Sequence, residues 1–224
     1  MPVITLAARD GHTFSAYSAA PSGKTRGGLV IVQEIFGVNA HIRSVADGYA
    51  ADGYAVLAPA LFDRAERGVE LGYDAADRDR GIALRGKIPL DAMLADIAAC
   101  GDALAASGKV GIVGYCLGGS LAWLAACKLD GFAAAVGYYG GMIAANLGAP
   151  PKVPVMLHFG KEDGGIPMSD VDKIRVAADP ALVQVFTYAG TGHAFNRAGS
   201  ANWHEPSAKL ARDRTLAFLA EHVG

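Results

Sequence analysis

Cysteine is scarce in this chain: Cys100, Cys116 and Cys127 are the only three, an odd number without C-x-x-C spacing. That usage argues against a disulfide framework and, with no paired histidines nearby, against a zinc site. An excess of charge is missing as well. The 20 Lys and Arg nearly balance the 22 Asp and Glu, leaving a formal −2, and no field of either sign exists to draw nucleic acid or an anionic membrane. The start, Met1-Pro2-Val3-Ile4-Thr5, has neither a basic cluster nor a long apolar stretch, so no signal peptide is expected. A charge-free window, Gly131 to Pro150, contains Gly140-Gly141 and Asn146, and reads as strand plus loop rather than a membrane span. Repeats and low-complexity segments are absent. Apolar residues make up 52% of the 224 positions, which argues against disorder; the length suits one substantial core and is short for two domains. One domain over 1–224 is expected, monomeric and in a reducing cytoplasm. Cys100 and Cys127 lie in Ala-rich helical patterns and read as core filler.

Along the chain, strand-like runs at Val3–Leu6 and Thr13–Tyr17 flank the turn Asp10-Gly11, predicting a hairpin. Buried strands are then expected at Leu29–Gln33, Tyr54–Leu57, 110–113, 133–139, 153–159 and 183–188. Helices are expected between them near Ala40–Ala51, Ala75–Arg85, from Pro89 to about Ala106, 117–128, Met168–Ala178 and Trp203–His222. Apolar strands alternating with helices imply an α/β fold with a mostly parallel sheet covered on both faces. The Gly23-Lys24-Thr25 run is no phosphate loop. Position 18 is Ser where glycine is needed, and a strand follows where a helix must open.

Gly114-Tyr115-Cys116-Leu117-Gly118-Gly119 follows the apolar run Val110–Val113. This is a G-x-nucleophile-x-G turn between strand and helix, with cysteine as the nucleophile. Gly114 and Gly118 give the strained turn clearance, and the helix amino-terminus favours a thiolate. Asp163 follows a second apolar run and His193 a third, in Gly190-Thr191-Gly192-His193-Ala194-Phe195. Nucleophile, acid, histidine is the α/β-hydrolase order, and groups on loops at one sheet edge can converge. Gln33-Glu34-Ile35-Phe36-Gly37-Val38-Asn39 sits where the second oxyanion donor belongs, so the backbone N–H groups of Leu117 and Ile35 are candidates. Glu34 is a carboxylate at the end of a buried strand, which is costly unless used. It either caps the next helix or lies beside Cys116, holding or taking the thiol proton.

With these segments the chain resembles the dienelactone hydrolase (carboxymethylenebutenolidase) family of α/β-hydrolases over essentially its whole length. The carriers are QEIFGVN at 33–39, GYCLGG at 114–119, AVGYYGG at 135–141, Asp163 with Pro167, and GHAFNR at 192–197. The resemblance implies an eight-stranded, mostly parallel sheet and neither cofactor nor metal. It implies Cys116 as nucleophile, His193 as base, Asp163 orienting it and Glu34 activating the thiol. It further implies a substrate carboxylate held by two arginines. Arg197 is one; Arg80 is the best match for the other, with Arg78 a near rival. Tyr138 and Phe36, inside the matching segments, are expected in the substrate site. The chain departs from the family at Ala194, where serine is common, and at Leu84 and Gly86-Lys87, where aromatics are usual. The expected partner is a small anionic lactone such as dienelactone, opened through a thioester. The alternatives are a broader carboxylesterase or thioesterase and, from another class, a non-catalytic ligand-binding or redox-sensing protein on the same fold.

Overall fold

A run buried at all five positions, Gly28–Val32 (β3), needs helices on both of its faces. The computed structural model describes residues 2–224 and supplies them. The hairpin of β1 (Val3–Ala7) and β2 (Thr13–Ala19) forms as expected, with Val3 opposite Tyr17 and Ala7 opposite Thr13. After β3, α1 (Ala40–Ala51) leads to β4 (Ala55–Pro59), then α2 (Ala75–Gly86) and α3 (Leu90–Leu104) to β5 (Val110–Tyr115). The chain continues through α4 (Leu117–Lys128), β6 (Ala134–Tyr138), β7 (Val155–Gly160), α5 (Met168–Ala177), β8 (Val183–Tyr188) and α6 (Glu205–His222). The eight strands form one sheet in the order β1-β2-β4-β3-β5-β6-β7-β8, antiparallel around β2 and parallel from β4 onward.

The order reverses at β3: β4 lies on one side of it and β5 on the other. Right-handed crossovers in opposite directions place α1 and α3 on opposite faces. The loops after β3 and β5 therefore part at their carboxyl ends and open a crevice. Asn39 starts α1 by accepting the Ile42 N–H at 3.3 Å. In α4 every residue from Leu117 to Cys127 is buried, so its small Gly, Ala and Ser residues let it press close to the sheet.

A 3-10 turn at Leu61–Arg64 is outside the sequence expectation, because polar partners distant in the chain make it. Asp63 is buried there and accepts the Ser15 and Gly68 N–H groups at 2.8 and 3.1 Å. Arg64 forks onto Asp96 with two 2.8 Å bonds and joins the turn to α3. Among the described residues no helix is long and apolar enough to cross a membrane.

Candidate active site

Cys116 has φ 55° and ψ −112°, a left-handed conformation rare for a residue with a side chain. The two glycines around it show why the turn can close. A Cβ on Gly114 would lie 1.9 Å from the Gly118 carbonyl oxygen, and one on Gly118 2.2 Å from that of Val32. The Cys116 N–H donates to the Tyr138 carbonyl at 3.0 Å, and the Gly118 N–H to that of Gln33 at 3.0 Å. The elbow is thus clamped between β3 and β6, with the partly exposed thiol at the crevice. Leu117 opens α4, where the first amides have no helical acceptor. It shares with Cys116, Ile35 and His193 a pocket of about 220 Å³.

His193 Nδ1 lies 2.7 Å from Asp163 Oδ2, and the other oxygen of this buried carboxylate accepts the Gly165 N–H at 2.9 Å. The neighbouring acid faces elsewhere: Glu162 accepts the Thr191 N–H at 2.6 Å and shapes the histidine loop. Burial opposes a charge on His193. The Asp163 hydrogen bond and Cys116 outweigh it, and the imidazole is pushed up to about 10. Tyr139, at φ 38°, sets its ring 4.8 Å from that of His193 and donates its hydroxyl to Asn196 Oδ1. The Asn202 side chain donates to the His193 carbonyl at 2.8 Å.

Glu34 is buried as expected, but its recorded partner is Arg197, with Nη1 3.4 Å from Oε2, and not the Cys116 thiol. The guanidinium lies 3.9 Å over the Tyr73 ring and 5.9 Å from that of Phe36, so Phe36 supports Arg197 from behind. Burial, with Glu34 adding to it, pushes the Tyr73 hydroxyl up to about 12.

Two expectations are corrected. Tyr138 is the last residue of β6, and its side chain points into the core, where its hydroxyl meets Thr215 at 2.7 Å. Tyr139, one residue on, is the tyrosine beside the histidine, as period-2 alternation dictates. Arg80 is exposed and paired with Glu66, and Arg78 is exposed against Asp79. Arg85 instead lines the Cys116 pocket, with Nη2 3.7 Å from Met142 Sδ. Helical spacing contained that signal. Gly81 packs on the Ile35 carbonyl, and position 85 shares its face.

With a strand-helix elbow, a histidine-carboxylate pair and a second loop meeting at one crevice, the comparisons decide the lineage. The profile of the dienelactone hydrolase family matches residues 14–223. The chain belongs to the dienelactone hydrolase family. It is 37% identical over 227 residues to the carboxymethylenebutenolidase of Pseudomonas putida, covering 97% of this chain and 95% of the relative. It is 35% identical over 228 residues to that of Pseudomonas sp. strain P51, covering 96% and 93%. A crystal structure of a Klebsiella pneumoniae protein assigned as a dienelactone hydrolase superposes with a TM-score of 0.83 at 29% identity, over 99% of this chain and all of that one. The promiscuous phosphotriesterase P91, described as dienelactone hydrolase-like, shares the fold with a TM-score of 0.76 at 22% identity. This dienelactone hydrolase family member is a lactone or ester hydrolase on an α/β-hydrolase fold.

Proposed function

We propose that the protein opens a small anionic enol lactone through a Cys116 thioester, with His193 as base and Asp163 as its orienter. The observation that carries the reading is the 2.7 Å His193–Asp163 contact in the pocket that also holds Cys116. A cationic His193 stabilises negative charge on the neighbouring sulfur, so the thiol proton resides on the imidazole and the thiolate attacks the lactone carbonyl. The Ile35 and Leu117 amides face the oxygen that becomes negative. The C–O bond then breaks, and the enolate leaves with the proton from His193.

In the resulting acyl-enzyme the sulfur is a neutral thioester. The contribution of Cys116 that raised His193 is gone, and the ring returns toward a neutral base able to take a proton from water. Hydrolysis releases the carboxylate product and restores the thiol. Arg197, and Arg85 in place of Arg80, are the cations for the substrate carboxylate. A substrate that engages Arg197 competes with Glu34 for the guanidinium.

A second reading, broader action on uncharged esters, is favoured by Arg197 being already paired with Glu34 and stacked on Tyr73. Rates on a carboxylated enol lactone and on its methyl ester separate the two. The anionic reading expects the acid to be preferred by tenfold or more and an acyl adduct on Cys116 in the intact mass under rapid quench. Equal rates refute it in favour of a general esterase. Absence of any adduct, with turnover surviving Cys116→Ala, refutes the nucleophile.

A further inference from the structure

Arg85 stands in the last turn of α2 and lines the pocket that holds Cys116 and His193. Neighbouring Arg197 has a carboxylate partner in Glu34; Arg85, among the described residues, has none. The hydrogen-bond partner of its guanidinium is the Met142 sulfur, with Nη2 3.7 Å from Sδ. A guanidinium offers five donors in a fixed fork, and a thioether is a weak acceptor. A carboxylate takes two of those donors through parallel, charge-assisted bonds, each roughly twice as strong as a neutral one. The sulfur on Arg85 is therefore a partner that a carboxylate oxygen outcompetes.

The backbone that carries this sulfur is fixed, whereas the side chain is free to move. Met142 follows a close pass of the chain over α4: a Cβ on Gly140 would lie 2.8 Å from the backbone of Gly119 and Ser120. The Met142 N–H donates to Ser120 Oγ at 3.0 Å, and its carbonyl accepts the Asn146 side-chain amide at 2.7 Å. The Asn146 carbonyl in turn accepts the indole N–H of buried Trp123, on α4, at 2.9 Å. Met142 is thus anchored to the helix that begins beside Cys116. Beyond Cα, a methionine has three rotatable bonds, and Met142 is half-buried with the pocket alongside. Its sulfur can swing off Arg85 without moving the loop. Ile35, Leu117 and Ile166 make much of the remaining wall apolar, and Arg85 is its one arginine or lysine.

We propose that Met142 is a specificity-determining residue of this hydrolase, its sulfur holding on Arg85 the place that an oxygen of the substrate carboxylate takes. The inference rests on the reading of Arg85 as a cation for that carboxylate. An acid displaces the sulfur and gains the guanidinium. A neutral acyl group leaves the sulfur where it is and packs against an apolar wall. How firmly the side chain at 142 holds Arg85 therefore sets how strongly the pocket prefers an acid. Leucine at this position keeps the volume and removes the acceptor. Glutamine keeps an unbranched chain and supplies a stronger acceptor, its amide oxygen.

Butyrate and its neutral amide, butyramide, are the probes. The readout is protection of Cys116 from iodoacetamide, followed by intact mass, which reports occupancy of the pocket without turnover. Wild type should be protected saturably, with butyrate binding about tenfold or more tighter than butyramide. Met142→Leu should widen that ratio about threefold or more, and Met142→Gln should narrow it by a similar factor. In an Arg85→Gln background neither change at 142 should move the ratio. A butyrate preference that Arg85→Gln abolishes, but that the two Met142 variants leave unmoved or shift in the same direction, would overturn the role of Met142 and keep Arg85 as the carboxylate site. No saturable protection, or a preference that survives Arg85→Gln, would overturn both. These outcomes are distinct from failure of the enol lactone reading, which equal rates on the acid and its methyl ester would show.

Discussion

Replacing Arg197 with leucine tests how the site holds a buried acid. Glu34 has 1% of its side chain exposed and Arg197 15%, and their nearest atoms are 3.4 Å apart. That distance is long for a charge-assisted hydrogen bond. The pair therefore matters less as a strong contact than as compensation for a carboxylate with no access to water. Removing one partner of a buried pair costs about 3–5 kcal/mol; the long contact argues for the lower end, about 3 kcal/mol. Losing the stack on Tyr73 adds roughly 0.5–2 kcal/mol. In a protein of 224 residues each kcal/mol moves Tm by roughly 2–4 °C, so Arg197→Leu should melt roughly 7–20 °C below wild type. The double variant Glu34→Gln/Arg197→Leu removes the stranded charge and should recover much of that loss, a coupling well above 1 kcal/mol in urea melts. If Arg197→Leu lies within 1 kcal/mol of wild type, or the double variant is no more stable than the single, Glu34 does not depend on Arg197 and the electrostatic reading of the site is wrong.

Three further outcomes follow from the geometry. Asp163→Asn should lower kcat/KM by about 10²–10⁴ through loss of the imidazole's orientation and charge, whereas Glu162→Gln should cost less than tenfold; the reverse ranking would mean the wrong acid has been assigned. In a nuclear magnetic resonance titration, His193 should stay protonated through neutral pH up to about 10, with the midpoint falling in Cys116→Ala; an unmoved midpoint would remove the thiol from its surroundings. Because the folded value lies above that of a free imidazole, about 6.5, the His193 contribution to stability is complete below that pH and is lost as pH rises through about 10. His158 has the opposite sign: burial pushes it down to about 3, so the unfolded chain binds the extra proton and stability falls as pH drops from about 6.5 toward 3. His158→Gln should flatten that slope in urea melts, and an unchanged slope would refute the assignment.

Much of this molecule is legible in its sequence because local rules govern it. Buried parallel strands must be continuous apolar runs, and β3, β5, β6 and β7 are such runs between Gly and Pro punctuation. The elbow is legible because only glycine fits at 114 and 118, whatever the rest of the chain does. The misplacements concern side-chain direction. Choosing between Tyr138 and Tyr139 requires knowing where β6 ends, since one residue of drift exchanges core for crevice. Choosing among Arg78, Arg80 and Arg85 requires knowing which face of α2 meets Ile35, and a helix rich in charge gives only a faint apolar stripe. The partner of Glu34 was beyond reach for a related reason. Arg197 lies 163 residues away, and its approach depends on an aromatic wall from Tyr73 and Phe36 that no local pattern reveals.

The backbone itself marks the same place. Among the described residues the non-glycine positions with left-handed φ are Cys116, Tyr139 and Ala194, at 55°, 38° and 59°. Each such residue costs on the order of 1–3 kcal/mol and persists only where its surroundings over-determine it. At Cys116 and Tyr139 the surroundings are the sheet, whose Tyr138 and His158 carbonyls accept their N–H groups; at Ala194 they are its own loop, where the Arg197 N–H donates to its carbonyl. Strain is thus concentrated on Cys116, on the ring behind His193 and on the residue just after that histidine. A small side chain suits position 194, because a β-branched one would resist that φ and turn the loop carrying both His193 and Arg197. The parallel strands therefore do more than bring the loops to one edge. Their carbonyls hold two of the three unfavourable conformations in place, at Cys116 and Tyr139, while the loop closes on itself at Ala194, and together these conformations orient the sulfur, the imidazole and the guanidinium toward one crevice.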